Sequence, residues 1–200
     1  AVPLLAQAKE PVAHVRARMQ AFVKEKIISG SVTAVATKNK MLSLETVGYA
    51  DLKNMEAMRA DHLFWIASMT KPIAAVCVLQ LHEERKLSIE DSVEKHLPEF
   101  KGQWMVDKRE GANLILKRPE RAITIRDLLT HTSGLANTGT PRTESTLGEL
   151  VMSYSKTPLN FEPGSKWSYS NAGINTLGRI VEVVSRIPFA QFLQKRVLDP

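Results

Sequence analysis

Leu63-Phe64-Trp65-Ile66-Ala67-Ser68-Met69-Thr70-Lys71-Pro72-Ile73-Ala74-Ala75-Val76-Cys77-Val78-Leu79 is the stretch whose reading decides the fold. Ser68 opens a long helix that is apolar all round, so the helix is expected to run through the centre of the molecule. Ser68 and Lys71 are one helical turn apart and share a face. An ammonium group in the first turn of a buried helix is costly to desolvate unless it is neutral or paired, and a neutral lysine is a base. The plainer alternative is a capping hydroxyl at Ser68 with Lys71 snorkelling to solvent.

The S-x-x-K spacing alone is weak, because it also occurs at Ser92/Lys95 and Ser153/Lys156. Ser92 and Lys95 fall on the polar side of a short amphipathic stretch, and Ser153 lies just before Pro158 stops any helix. Both read as solvated helix faces. Tyr169-Ser170-Asn171 favours Ser68: it is the sole Y-x-N in the chain. It follows the turn signal Glu162-Pro163-Gly164 and precedes a helix over 172–185 with Ile174, Leu177, Val181 and Val184 on its apolar side. Asn171 is well placed to cap that helix. A hydroxyl beside an amine, with a phenol and an amide elsewhere, suggests an enzyme that acylates its own serine without a histidine triad.

Three segments carry a family resemblance: residues 64–72 around Ser68, Ile125-Arg126-Asp127-Leu128-Leu129-Thr130-His131-Thr132-Ser133-Gly134-Leu135, and Pro163-Gly164-Ser165-Lys166-Trp167-Ser168-Tyr169-Ser170-Asn171-Ala172-Gly173. In this order they resemble the serine β-lactamase and penicillin-binding superfamily. The branch is that of class C β-lactamases, D-Ala-D-Ala peptidases and β-lactamase-like carboxylesterases, and the likeness runs from about Val32 onward. It implies an α/β (α+β) fold, an antiparallel sheet flanked by helices with a helical region beside it. It implies Ser68 as nucleophile, Lys71 or a Tyr169 phenolate as proton acceptor, Tyr169 as acid to the leaving group, and Asn171 as a substrate-binding amide that also bonds Lys71. The Ser68 N–H at a helix start would form half of an oxyanion hole. No cofactor and no metal are implied.

The family's third element, a Lys or His followed by a small residue and Gly, has no match after Asn171; Asn137-Thr138-Gly139 lacks the cation and precedes Tyr169. Residues 1–200 are therefore read as the N-terminal portion of one β-lactamase-like catalytic domain, with the C-terminal strands outside the chain. The remainder of its own chain or a complementary fragment is the partner expected to complete the sheet. The substrate is expected to be a small ester, β-lactam or D-peptide. Carboxylesterase ranks first, followed by D-Ala-D-Ala carboxypeptidase or β-lactamase, with a non-catalytic penicillin-binding sensor or scaffold as the alternative class.

The 200 residues are 44% hydrophobic, which fits a packed domain, and carry a net charge of +6. Basic residues interleave with acids, and only 6% are aromatic, so nucleic acid is not an expected partner. The longest apolar run, 73–79, is too short for a membrane span. The single Cys77 excludes an intrachain disulfide and reads as a core residue. Ala1 to Ala8 resembles the tail of a secretory leader, which tilts localisation toward the periplasm or exterior; an unstructured mature N-terminus fits equally. His82-Glu83-Glu84-Arg85 begins like a zinc-protease helix, but Lys86 stands where the second histidine belongs.

Val12, Val15, Met19, Phe22 and Val23 space as a helix ended by Gly30, and 31–49 reads as a β-hairpin turning at Lys38-Asn39-Lys40. Beyond Ser68 the chain reads as mainly helical. Ser88/Asp91 and Thr124/Asp127 are box-like helix starts, 101–121 an irregular surface excursion, and 137–146 a loop. His131 reads as a helix-terminal residue interacting with the dipole, with Gly134 supplying the C-cap.

Overall fold

The computed structural model describes residues 10–137 and 145–199. The leader-like tail 1–8 and most of the 137–146 loop lie outside the described residues. Contacts divide the chain into two units, Ala1–Trp65 and Ile66–Pro200.

The first unit is one helix on a small antiparallel sheet. Helix α1, Glu10–Lys24, packs on β1 (Gly30–Ala36) and β2 (Met41–Asp51), and a two-residue β3 (Glu56–Ala57) extends the order to β1-β2-β3. The hairpin register pairs Ser31 with Val47 and Val35 with Ser43, close to the sequence expectation. Thr37 Oγ1 closes the turn by accepting from the Asn39 and Lys40 N–H groups. The helix stops six residues before Gly30, because Lys26 turns left-handed at φ 59°. Arg16 pairs with Glu45 at 2.7 Å between helix and sheet.

The second unit is a helical cluster with one hairpin. A single 3-10 turn, Ala67–Met69, leads into α2 (Thr70–Glu83). Then come α3 (Val93–His96), β4 (Met105–Glu110), β5 (Asn113–Lys117), α4 (Ile125–Leu129), α5 (Leu147–Ser155), α6 (Asn171–Ser185) and α7 (Phe189–Leu193). A π-turn, Gln194–Leu198, follows α7. The central helix is α6. It touches α2, α3, α4, α5 and α7, and its Leu177, Ile180 and Val181 are fully buried. Each such side chain contributes roughly 1.5–3 kcal/mol by leaving water. Leu81, Leu97, Ile125, Leu128, Val151 and Leu159 close the core around it.

Three sequence expectations are corrected. Helix α2 is not buried all round: Ala74, Cys77, Val78 and Leu81 face the core, whereas Val76 and Leu79 are exposed. The excursion over 101–121 contains the antiparallel pair β4–β5, turning at Gly111. Ser88/Asp91 closes a turn, not a helix, because α3 starts only at Val93. Thr124/Asp127 and Thr146/Glu149 form complete capping boxes, in which each threonine accepts from the third helical N–H and each acid reaches back. Among the described residues no helix is long and apolar enough to cross a membrane.

Candidate active site

Ser68 sits in the tight turn before α2 because Ala67 takes a left-handed φ of 45°. That conformation is costly for a residue with a β-carbon and concentrates at functional sites. It leaves the Ser68 side chain exposed, and Lys71, in the first turn of α2, half-buried. The deep burial expected for Lys71 is therefore not found among the described residues.

Tyr169 reaches Ser68 from 101 positions away: the two side-chain oxygens are 2.6 Å apart. Lys71 Nζ donates to Ser68 Oγ at 3.3 Å and lies 4.6 Å from the centre of the Tyr169 ring. The Lys71 ammonium, followed by the hydrogen bond with Ser68, holds the Tyr169 phenol below its ordinary pKa. A hydroxyl, an amine and a phenol thus meet at one oxygen, an arrangement through which a proton can leave a serine.

The fourth expected residue is placed differently. Helix α6 begins at Asn171, and its N-cap is Ser170, whose Oγ accepts from Gly173 N–H at 3.0 Å. The Asn171 side chain makes no hydrogen bond to Lys71 or to any other described residue; its backbone N–H donates to Asn137 Oδ1 at 2.8 Å. Asn137 Oδ1 also accepts from Ala172 N–H at 3.2 Å, and Asn137 Nδ2 donates to the Tyr169 carbonyl at 2.9 Å. One amide therefore caps α6 and holds the backbone of Tyr169.

The other two S-x-x-K pairs do not bring hydroxyl and amine together. Lys95 turns to Asp91 at 2.6 Å, and Ser153 Oγ donates back to its own helix at Leu150 O, 2.6 Å away.

His131 and the Arg121–Asp127 pair support the site from below. His131 Nδ1 accepts from Ser170 N–H at 3.2 Å, and its ring lies 4.9 Å from that of Tyr169. Asp127 is buried and takes both Arg121 nitrogens, at 2.6 and 2.9 Å, with Thr124 N–H at 2.9 Å. Burial favours its neutral form, but Arg121 and Thr124 outweigh this and hold its pKa below the usual carboxylate range. Gly164, at φ 84°, turns directly over this pair; a β-carbon there would stand 2.5 Å from Arg121 Nη2. Sequence reading missed Asn137 and gave His131 a terminal role only. The Y-x-N segment's need for backbone anchors was the available signal.

A family model described as Beta-lactamase matches residues 15–200. Esterase EstB of Burkholderia gladioli is 32% identical over 194 residues, covering 89% of this chain and 46% of EstB. Penicillin-binding protein 4* of Bacillus subtilis is 27% identical over 197 residues, covering 94% of this chain and 39% of that protein. The chain thus spans less than half the length of these curated relatives. Among solved structures, EstCE1, described as a hydrolase with promiscuous acyltransferase activity, superposes with a TM-score of 0.81 at 27% identity, covering 94% of this chain and 51% of EstCE1. With the mixed α/β architecture, these matches establish that the chain belongs to the β-lactamase family of serine hydrolases.

Proposed function

We propose that this chain carries the nucleophile and the proton-transfer groups of an acyl-enzyme hydrolase, with a carboxylic ester as favoured substrate. The observation that carries the reading is the convergence of Tyr169 Oη and Lys71 Nζ on Ser68 Oγ. Ser68 Oγ attacks the ester carbonyl while its proton passes to the Lys71–Tyr169 pair. The carbon–oxygen bond to the alcohol then breaks as Tyr169 returns a proton to the leaving oxygen. Water, deprotonated by the same pair, releases the acid. The exposed Asn171 amide is assigned to a substrate carbonyl or amide.

Similarity to EstB and EstCE1 supports the ester, as do the exposed apolar side chains of Met69, next to Ser68, and Trp167, which packs edge-on against His131. A β-lactam or D-peptide is the second reading, favoured by the match to Penicillin-binding protein 4* across 94% of this chain.

The test is turnover of p-nitrophenyl butyrate, nitrocefin and a D-Ala-D-Ala peptide by the full-length protein and its Ser68→Ala variant. Ester turnover that vanishes in the variant supports the reading. Turnover that survives Ser68→Ala removes Ser68 as nucleophile.

A further inference from the structure

His131 occupies a backbone position that glycine ordinarily fills. Helix α4 ends in a Schellman turn: Thr132 N–H donates to Asp127 O at 2.8 Å and His131 N–H to Leu128 O at 3.4 Å. The left-handed residue of that turn is His131 itself, at φ 60°; Gly134, expected there from sequence, comes three residues later. A β-carbon in that conformation is unfavourable, so the side chain is retained against a local penalty.

The imidazole uses this position to grip the segment that carries Tyr169. Its Nδ1 accepts from Ser170 N–H at 3.2 Å, and its ring tilts 33° against the Tyr169 ring. The Trp167 ring stands nearly perpendicular to the imidazole, at 83°, with ring centres 6.0 Å apart. The His131 carbonyl accepts from Ser168 N–H at 2.9 Å. One residue thus holds the backbone on both sides of Tyr169 and the face of its ring.

We propose that His131 is a positioning residue for Tyr169, and that it acts only as the neutral tautomer with its proton on Nε2. The proposal rests on the Ser68–Lys71–Tyr169 reading above. An Nδ1 that accepts a hydrogen bond carries no proton; an imidazolium would set N–H against N–H and push Ser170 away. The groups facing the ring are the Lys71 ammonium and the Tyr169 phenol. Asp127, on α4, is taken up by Arg121, and no carboxylate bonds the ring among the described residues. Burial, and then the Lys71 charge, push the imidazole's pKa down, so the neutral form holds at pH 7 and is lost in acid.

Two variants separate this role from a structural one. His131→Gly suits the left-handed turn but removes both acceptor and ring. His131→Asn tolerates the turn and sets Oδ1 where Nδ1 was, yet cannot be protonated. Single-turnover acylation by p-nitrophenyl butyrate is followed against pH in the full-length enzyme. His131→Gly should melt like wild type but acylate about 10- to 100-fold more slowly, with KM little changed, the scale of a misplaced catalytic group. His131→Asn should recover several-fold over His131→Gly, and its rate should fall in acid with one proton where wild type falls with two. Nitrogen-15 NMR of the imidazole at neutral pH should show Nδ1 unprotonated. A His131→Gly enzyme at wild-type rate, superimposable acid limbs in wild type and His131→Asn, or a protonated Nδ1 each overturns the proposal. If Ser68→Ala abolishes acylation while the His131 variants acylate normally, the positioning role alone fails; if Ser68→Ala acylates, the parent reading fails.

Discussion

Arg121 grips Asp127 with both terminal guanidinium nitrogens, at 2.6 and 2.9 Å, directly beneath the glycine turn that leads to Tyr169. The Asp127 side chain is buried while that of Arg121 is 44% exposed, so the pair is anchored from the inside. It joins the start of α4, its last turn through Thr132, and the strand of chain passing over both.

Asp127→Asn should therefore destabilise the protein by about 2–4 kcal/mol, somewhat below a fully buried pair because Arg121 is half in water. For a chain of this size that lowers the melting temperature by roughly 4–16 °C. The sign with pH is fixed by the depressed folded-state pKa. The contribution is complete above the unfolded carboxylate value of about 3.9 and is lost as pH falls through the folded value. Urea titrations should show wild type and variant far apart at pH 7 and converging in acid. A constant gap would mean that the charge of Asp127 contributes nothing.

Lys71→Met should reduce acylation by about two orders of magnitude or more near neutral pH, the scale of a lost proton-transfer group. Lys71 is the largest influence lowering the Tyr169 pKa, so its removal lets the phenol rise. The residual rate should then climb with pH further into the alkaline range than wild type does. A flat profile in the variant would show that Tyr169 accepts no proton.

Gly134→Ala tests the turn after His131. Gly134 has φ 75°, and a β-carbon there would stand 2.3 Å from the Phe161 carbonyl oxygen. Strain and clash together should cost about 2–4 kcal/mol. Thermal unfolding of the variant within a degree or two of wild type would contradict this.

Asn137→Ala removes the acceptor of two helix-start N–H groups and the donor to Tyr169 O. Loss of the cap should cost about 1 kcal/mol. Acylation should slow as well, because the Tyr169 backbone loses an anchor. Normal acylation in a destabilised variant would confine Asn137 to the cap.

The Ser68, Lys71 and Tyr169 grouping was legible because each residue sits in a short motif with its own turn or helix signal. What surrounds it was not. Ala67 adopts a left-handed conformation that alanine does not favour, so nothing local announces it. His131 finds its partners 36 to 39 positions away, beyond the reach of helix-end reasoning. The β4–β5 pair hid behind charge: every residue of β5 is exposed, and only Met105 of β4 is buried, so no alternation of apolar and polar marks the strands. Helix α6 declared its core face, yet it starts one residue earlier than expected, so that Ser170 and not Asn171 holds the N-cap position and accepts from Gly173 N–H, the third of the helix.

Cys77 is completely enclosed within α2, and burial pushes its thiol pKa up, so little of it is the reactive thiolate. It is also the chain's single cysteine. A second thiol introduced at the β4–β5 tip, for instance Ala112→Cys beside the open Gly111, would be the one that maleimides reach. Dyes, spin labels or surface tethers can then be placed at a single defined point, without first deleting a native residue and repairing the core.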